Sequence, residues 1–399
     1  MRKANIVFFS ANRAEYGLIY PFLKIFSKHK NFNLKFIVAG SHLEKKFGFS
    51  LNEIKKDNIK IYTKIKIPLK TNKLDDAAEY FNKLQYKINL IIKKIKPDLI
   101  FLSSDRFETF AFAVSSYLKK IPIIHYEGGD VTEGGALDDN IRHAITKISN
   151  IHLTSNNDSL KRIIKMGEES WRCTNVGYSP LYLLEKKKFD LKKIDNKFSL
   201  NSKKPLILFT LHPIIKNKLE QKKDVDEIFK ALEYLSKDNQ IIITYPNFDP
   251  GYQYIISKIT NLNKKNKNIK VIKHLGRENY HSLLYYIGKN KKGFCMGNSS
   301  SGIKEAVVFD CPTLNIGDRQ KSRLKPKNVI DVDYNFLKIC SKLKIIIFSK
   351  NLKKQLLKFR NPYYKKSTGY RITKVIENIK LDAKILKKKY KFNIKNRTV

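Results

Sequence analysis

Short apolar runs alternate with amphipathic stretches along most of the chain. In the first half, the apolar runs predict strands at residues 5–10, 34–39, 98–103, 121–126 and 151–154. Between them, apolar side chains recur at helical spacing and predict helices at residues 18–26, 75–95, 107–118 and 159–166. The strand runs are continuously apolar, which is typical of a parallel sheet that helices cover on both faces.

The alternation pauses and then resumes in the second half. Residues 186–204 are polar and strongly charged, which indicates a linker. After this stretch, further apolar runs predict strands at residues 206–211, 240–244, 269–272, 293–295 and 312–316. Residues 373–390, which follow an Asn-Pro break, predict one amphipathic helix near the C-terminus.

These patterns predict an α/β fold of two doubly wound halves. We expect an N-terminal Rossmann-like domain over residues 1–195 and a C-terminal Rossmann-like domain over residues 196–365. Residues 366–399 would form a C-terminal helix placed against the N-terminal domain. Two such domains place a ligand cleft between the carboxyl ends of their strands.

The high positive charge of the chain could indicate a protein that binds nucleic acid. The chain has 399 residues, with 80 Lys and Arg against 36 Asp and Glu, and a formal net charge of +44. Its lysines are spread everywhere and interleaved with Asn and Ile, without an aromatic stacking motif. We therefore interpret the charge as a compositional bias whose positive potential attracts an anionic substrate, and keep a nucleic-acid binder as an alternative.

Other features of composition indicate a cytoplasmic protein that binds no membrane. No apolar run follows a basic start, so we expect no signal peptide, and the longest apolar runs are too short to cross a bilayer. The cysteines lack metal or CxxC spacing and are interpreted as reduced thiols: Cys173, Cys295, Cys311 and Cys340.

Polar residues cluster directly after the predicted strands, where an open α/β sheet builds its site. The candidates in these loops are Arg13, Asp105, Arg106, His212, Asn247 and Arg319.

A glycine- and serine-rich loop, GNSSSG, follows another strand and runs into a predicted helix start. Its hydroxyls and amides suit phosphate oxygens, although an ordinary helix cap would use the same residues. Arg13 and Arg319 could close on the same anion.

An acidic loop after the strand at residues 121–126 is unexpected in so basic a chain. It holds Glu127, Asp130, Glu133, Asp138 and Asp139. The spacing is not that of a calcium loop, so we expect no metal. Carboxylates that converge on one pocket separate each other's pKa values, which suits acid and base catalysis near neutral pH.

The two aspartates of this loop have a plain structural alternative. Asp138 and Asp139 could serve only as the N-cap and first-turn acid of a helix over residues 140–149. His212 could act as a base or as a phosphate donor.

The motifs occur in an order that resembles the UDP-N-acetylglucosamine 2-epimerases, most closely the hydrolysing branch. They are ANRAEYG, SSDRFET, HYEGGDVTEGGALDDNIRHAITK, LHP, YPNFDPG, GNSSSGIKE and LNIGDRQ, and they span residues 6–362. The loop TEGGALDD is longer than in other members, which leaves Asp138 and Asp139 open as alternatives for one position. The segment NPYYKKSTGYRI lacks the glycine-rich form found elsewhere in the family.

The resemblance implies a GT-B type fold with UDP in the cleft and no cofactor or metal. It implies elimination of UDP from UDP-N-acetylglucosamine through a 2-acetamidoglucal, followed by water addition to give N-acetylmannosamine for sialic-type acids. It assigns the catalytic roles to Asp105, Glu127, Asp138 and His212. It assigns substrate or UDP contacts to Asn247, Ser299, Ser300, Glu305 and Arg319. From their places directly after predicted strands, we expect Arg13 and Arg106 to contact the substrate or UDP as well. A homodimer or homotetramer is also implied.

Three enzymatic alternatives remain at this point. One is hydrolysis of UDP-N,N'-diacetylbacillosamine for legionaminic acid, which differs only in the pocket around the sugar C4 and C6. The others are a non-hydrolysing 2-epimerase and a GT-B glycosyltransferase, which the fold alone would permit.

Overall fold

The structure is a computed structural model, and its described residues form two parallel sheets flanked by helices. It describes residues 3–45, 49–68, 74–133, 137–184, 187–213, 217–247, 251–290, 292–348 and 361–390. Parts of the predicted linker, of the acidic loop, of the YPNFDPG motif and of the C-terminal segment lie outside these residues.

The first sheet belongs to the N-terminal half of the chain. Its parallel strands are β1 (Ala4–Ser10), β2 (Phe32–Val38), β3 (Ile61–Lys64), β4 (Leu99–Ser103), β5 (Ile123–Tyr126), β6 (Ile151–Thr154) and β7 (Cys173–Asn175). They lie in the order β3-β2-β1-β4-β5-β6-β7. The order reverses between β1 and β4, which opens a crevice at the carboxyl ends of these two strands.

Helices cover both faces of this sheet. They are α1 (Arg13–Phe26), α2 (Leu51–Lys56), α3 (Leu74–Ile95), α4 (Phe107–Leu118), α5 (Leu137–Ile148) and α6 (Asn157–Lys165). Successive side chains of β1 enter different cores: Phe8 packs with the α1 side, and Phe9 packs with α3 and α4. Both faces are therefore buried, which explains why the strand is a continuous apolar run.

The second sheet repeats this arrangement in the C-terminal half. Its strands are β8 (Leu206–Thr210), β9 (Gln240–Thr244), β10 (Ile269–Val271), β11 (Gly293–Gly297), β12 (Thr313–Ile316) and β13 (Val329–Val332), in the order β10-β9-β8-β11-β12-β13. The helices are α7 (Leu191–Phe198), α8 (Lys218–Leu235), α9 (Tyr252–Lys265), α10 (Gly276–Asn290), α11 (Ser300–Lys304) and α12 (Phe336–Phe348). The predicted α/β class is confirmed.

Helix α7 lies inside the stretch that the sequence predicts as a linker. Asp190 caps its start by accepting hydrogen bonds from two backbone amides. Ile194 and Phe198 are buried in the core of the C-terminal half. The polar run thus contains one amphipathic helix, and the boundary predicted at residue 195 falls within this helix. The division into three parts stays a prediction.

The predicted single helix over residues 373–390 is wrong in form. The structure has α13 (Thr368–Glu377) and α14 (Ala383–Leu386) instead. The side chain of Asp382 accepts a hydrogen bond from the Lys384 amide at 2.9 Å, which starts a new helix.

The C-terminal segment contacts the N-terminal half. Ile372 and Ile376 of α13 are buried in the core that contains α1. The guanidinium of Arg172 and the side-chain Nδ2 of Asn150 both donate to the Ile385 carbonyl, at 2.8 and 3.0 Å. In the part of the chain described here, no helix is both long and apolar enough to cross a membrane.

Candidate active site

The carboxyl ends of the two sheets face each other across a cleft with a cavity of about 220 Å³. The lining contains every site residue predicted from the sequence: Arg13, Asp105, Arg106, Glu127, Asp138, His212, Asn247, Ser299, Ser300, Glu305 and Arg319. The structure therefore brings them together, and their individual roles stay predictions.

Asp105 lies just after β4 and is held from two sides. Its Oδ1 accepts a hydrogen bond from the Ser104 hydroxyl at 2.9 Å, and its Oδ2 pairs with the Arg142 guanidinium. Arg142 lies on α5 and is 1% exposed. A buried arginine from α5 thus fixes the direction of a carboxylate in the loop after β4.

The structure distinguishes the two aspartates at the start of α5. Asp139 is buried and accepts hydrogen bonds from the amide and hydroxyl of Thr132, both at 2.9 Å. It also pairs with Arg142 at 2.6 Å. Asp138 instead lines the cleft. Asp139 therefore holds the acidic loop, and Asp138 is the aspartate that a ligand in the cleft would meet.

Glu127 follows β5 in a strained backbone conformation. Its φ is 66°, in the left-handed region that few side chains adopt. Its side chain is buried, with Oε2 paired to Lys304. Its Oε1 is also buried and has no hydrogen-bond partner among the described residues. Such strain at a cleft residue is typical of functional positions.

A network of buried charges surrounds Glu127, and no sequence motif points to its basic members. Lys304 pairs with Asp130 at 2.9 Å, and Arg323 pairs with the same carboxylate at 3.1 Å. Burial raises the pKa of Asp130, but attraction from Lys304 and Arg323 outweighs it and lowers that pKa below its ordinary value. Both cations come from the C-terminal half.

The serine loop forms the opposite wall of the cleft. Strand β11 ends at Gly297, where a side chain would collide with the Thr210 carbonyl, since an added Cβ would lie 1.9 Å from that oxygen. Ser299 caps α11, and its hydroxyl lies 2.9 Å from that of Ser301. Hydroxyls at this position suit the oxygens of a diphosphate.

His212 has a defined tautomer in its neutral form. Its Nδ1 accepts a hydrogen bond from the Asn247 amide at 3.0 Å, so the proton is on Nε2. Its own backbone amide donates to Asn298 Oδ1 at 2.7 Å. Arg319 donates to the Asn298 carbonyl at 3.2 Å. One buried asparagine therefore organises both of these predicted site residues.

Glu305 is held by His281, a histidine that no sequence motif points to. Its Oε2 lies 2.6 Å from His281 Nε2, and its Oε1 accepts from the Tyr178 hydroxyl at 3.3 Å. Tyr178 belongs to the N-terminal half, so this carboxylate also connects the two walls of the cleft.

Contacts at the rim of the cleft join the two halves, and we call Glu53, Asp57, His274 and Arg277 the rim cluster. Arg13 lies 2.9 Å from His274 Nδ1 across the gap. Arg277 contacts Asp57 at 3.2 Å, and its guanidinium lies 3.9 Å from the Tyr20 ring centroid. Burial raises the pKa of Glu53, but the hydrogen bond from His274 and attraction from Arg277 lower it to about 2.

A second buried carboxylate pair lies beneath the first loop of the cleft. Glu15 accepts hydrogen bonds from the Ala11 amide at 2.7 Å and from the Thr109 hydroxyl at 2.6 Å. Burial and repulsion from Glu108 raise the pKa of Glu15 to about 7. Arg106, which lines the cleft, lies 3.5 Å from Glu108. Glu15 also lines the cavity and titrates near neutral pH.

Metal binding was not expected from the sequence. Within the described ranges, no group of three or more His, Cys, Asp or Glu side chains could hold a metal ion. The absence of a cofactor stays a prediction.

Solved structures share this fold. The UDP-N-acetylglucosamine 2-epimerase from Neisseria meningitidis, bound to UDP-GlcNAc, aligns with a TM-score of 0.79 at 18% identity, covering 95% of this chain and all of that one. A 2-epimerase structure from Listeria monocytogenes aligns with a TM-score of 0.78 at 16% identity, covering 94% of this chain and 96% of that one. The predicted GT-B type fold is confirmed.

Sequence comparisons reach the same family. The diacetylbacillosamine 2-epimerase (hydrolyzing) of Campylobacter jejuni, named for GDP- or UDP-linked sugar, is 34% identical over 84% of this chain and 86% of its own length. The UDP-N,N'-diacetylbacillosamine 2-epimerase (hydrolyzing) of Legionella pneumophila is 29% identical over 96% of this chain and 98% of its own length. The model of the UDP-N-acetylglucosamine 2-epimerase family matches residues 24–377, so the chain belongs to this family.

Proposed function

We propose that this chain is a hydrolysing 2-epimerase. It takes a UDP-linked 2-acetamido sugar and water and releases UDP and a free sugar with inverted C2. The cleft carries this proposal, because carboxylates from separate strand ends of one half face serine hydroxyls and arginines of the other. Two relatives described as hydrolysing 2-epimerases support it.

The first step is an elimination. A carboxylate of the set Asp105, Glu127 and Asp138 takes the C2 proton. The electron pair of the C–H bond forms a C1–C2 double bond, while the C1–O bond breaks and UDP departs. Because negative charge develops on the diphosphate, its stabilisation is the largest expected contribution to rate. The hydroxyls of Ser299 and Ser300, together with the basic groups of the cleft, would stabilise this charge.

The second step is an addition of water. The oxygen of water bonds to C1, one proton of this water passes to a carboxylate, and a proton is delivered to C2 on the face opposite to the first removal. One carboxyl must therefore be protonated while another is ionised, which neighbouring acids in different surroundings achieve.

Two substrates fit this chemistry. UDP-N-acetylglucosamine would give N-acetylmannosamine as a precursor of sialic-type acids. UDP-N,N'-diacetylbacillosamine would give the legionaminic acid precursor, and the descriptions of the Campylobacter and Legionella relatives favour it. The substrates differ at C4 and C6, so the ratio of their kcat/KM values identifies the natural one.

The proposal is tested by incubating the purified protein with each UDP-sugar. A coupled assay measures UDP, and proton NMR identifies the sugar product. We expect equimolar UDP and a free sugar of the manno configuration at C2. A product still linked to UDP would indicate a non-hydrolysing epimerase, and transfer to an acceptor would indicate a glycosyltransferase. Hydrolysis that retains the original configuration at C2 would contradict the proposal.

Our last proposal concerns the oligomeric state and cellular location of the protein. By family resemblance, we propose a cytoplasmic homodimer or homotetramer without nucleic acid or membrane partners. Multi-angle light scattering measures the mass of the assembly directly, and a monomer at micromolar concentration would contradict this part.

A further inference from the structure

Lys304 reaches from the C-terminal half into the carboxylates of the N-terminal half. It is the last residue of α11, the short helix that begins after Ser299. Its side chain is 2% exposed, and its ammonium pairs with both Glu127 and Asp130. A buried lysine between two acids is costly to desolvate, so these ion pairs are weak evidence for a role in stability alone.

Several contacts fix the position of this ammonium. It lies 5.1 Å from the ring centroids of both Tyr178 and Tyr363, within cation–π distance. Its backbone carbonyl accepts a hydrogen bond from the Asn361 side chain at 2.9 Å. The lysine is therefore held by the C-terminal segment, by the N-terminal half and by its own helix.

The contact with Lys304 distinguishes the two oxygens of Glu127. Oε2 is occupied by the ammonium. Oε1 is buried and has no hydrogen-bond partner within the described part of the chain, while the residue lines the cleft. The lysine thus holds one oxygen of a strained, buried carboxylate, and the other oxygen has no hydrogen-bond partner among the described residues.

We propose that Lys304 is a positioning residue for the elimination step, which rests on the proposed function. Its ammonium holds Glu127 through Oε2, so that Oε1 is directed to the sugar. Because Lys304 lies four residues after Ser300, it also couples the position of this carboxylate to the turn that would hold the diphosphate.

The charges around Glu127 balance only when Lys304 is present. The titratable and charged groups that face this carboxylate are Asp130, Lys304, Arg323, Tyr126, Tyr178 and Tyr363. Without the lysine, two buried carboxylates would share Arg323. Burial beside a like charge favours the neutral form of an acid, so Glu127 would then take up a proton at a higher pH.

The test compares Lys304→Met with Lys304→Arg. In Lys304→Met, we expect the acid limb of the kcat profile to move up by about one to three pH units. We expect kcat at pH 7 to fall about 100-fold, with the inhibition constant for UDP within about threefold of the wild-type value. Lys304→Arg should keep the wild-type acid limb.

Two controls separate this role from a structural one. Lys147→Met removes a lysine that pairs with the buried Glu168 at 2.8 Å, outside the cleft lining. It should lower the melting temperature without moving the pH profile. Lys304→Met combined with Asp130→Asn restores the charge balance and should move the acid limb back. If Lys304→Met lost activity only in proportion to its folded fraction, with an unmoved pH profile, the inference would be overturned.

A measurement that needs no turnover keeps the inference separate from the proposed function. With glutamate labelled by ¹³C at Cδ, the Glu127 signal is assigned as the one missing in Glu127→Gln. It should titrate at higher pH in Lys304→Met than in the wild type. An equal titration in both proteins overturns the inference, whereas a wild type that releases no UDP from either sugar overturns the proposed function alone.

Discussion

Neighbouring aspartates at the start of α5 have opposite surroundings. Asp139 is buried against Thr132 and Arg142, whereas Asp138 lines the cleft. The structure therefore places the two alternatives that the sequence left open in different surroundings, Asp139 within the fold and Asp138 at the cleft. A catalytic role for Asp138 stays a prediction.

Substitution should separate these two contributions. Asp138→Asn should lower kcat about 100-fold or more and leave the melting temperature within a degree or two. Asp139→Asn should destabilise the fold by about 3 to 5 kcal/mol, because the buried Arg142 loses a partner. Steady-state kinetics and thermal unfolding measure the two effects. If Asp138→Asn lowered stability and Asp139→Asn lowered only kcat, the roles given to these two aspartates would be wrong.

Glu15 should make stability depend on pH in the neutral range. Its pKa is raised to about 7 in the folded protein, so its contribution to stability is complete below its ordinary pKa and is lost as pH rises through about 7. Glu15→Gln should therefore stabilise the protein by up to about 3 kcal/mol at pH 8 and by little at pH 4.5. Denaturant unfolding at both pH values measures the difference, and equal effects at both would contradict this assignment.

The sequence identifies the cleft residues that follow strands, since parallel strands end at one edge. Asp105 and His212 are found by this rule. Lys304, Arg142 and His281 are not, because they lie on helices and their importance depends on partners distant in sequence. Local pattern carries no information about such contacts.

At the scale of elements, the C-terminal segment is attached to β6, β7 and their loops by buried charges. Glu168 accepts from His152 at 3.1 Å and from Lys147 at 2.8 Å, and pairs with Lys388 at 2.7 Å. Burial raises the pKa of Glu168, but these hydrogen bonds outweigh it and lower the pKa to about 2.

Glu168→Gln should loosen this attachment at neutral pH. A lowered pKa stabilises the fold above the ordinary pKa and loses its effect as pH falls towards about 2. We expect a loss of about 3 kcal/mol at pH 7, faster hydrogen exchange in α14, and a smaller difference from the wild type below pH 4.5. Glu377→Gln, which removes a half-exposed partner of His29, is the matched control and should change stability by less than about 1 kcal/mol. Equal losses in both variants would contradict the account.

Elements buried on both faces are predicted well from sequence, and marginal ones are not. Strand β4 is continuously apolar and its pattern predicts a strand, whereas the edge strand β3 alternates half-buried and exposed residues and gives no such signal. The sequence of α7 is typical of a linker because its fully buried residues are Ile194 and Phe198 alone. Such elements depend on a neighbour that local pattern does not reveal.

At the scale of the molecule, the rim cluster connects the two walls of the cleft. Arg277 contributes most of these contacts, with Asp57, Glu53 and Tyr20 as partners. Since the substrate would bridge both halves, closure at the rim should contribute to substrate affinity more than to chemistry.

Arg277→Met should therefore raise KM about tenfold and change kcat by less than about threefold. Small-angle scattering should show a larger radius of gyration in the variant. Lys187→Met is the control, because this lysine pairs with the exposed Glu278 at 3.0 Å and should change neither quantity. An unchanged KM in Arg277→Met would show that the rim does not contribute to binding.

The most direct test of the central claim follows the C2 hydrogen. The wild-type protein is incubated with UDP-N-acetylglucosamine or UDP-N,N'-diacetylbacillosamine in D₂O, and the free sugar is analysed by NMR and mass spectrometry. If the cleft carboxylates remove and replace this proton, each released sugar carries one deuterium at an inverted C2, with one UDP formed per sugar. A released sugar that retains its original C2 hydrogen would contradict the account.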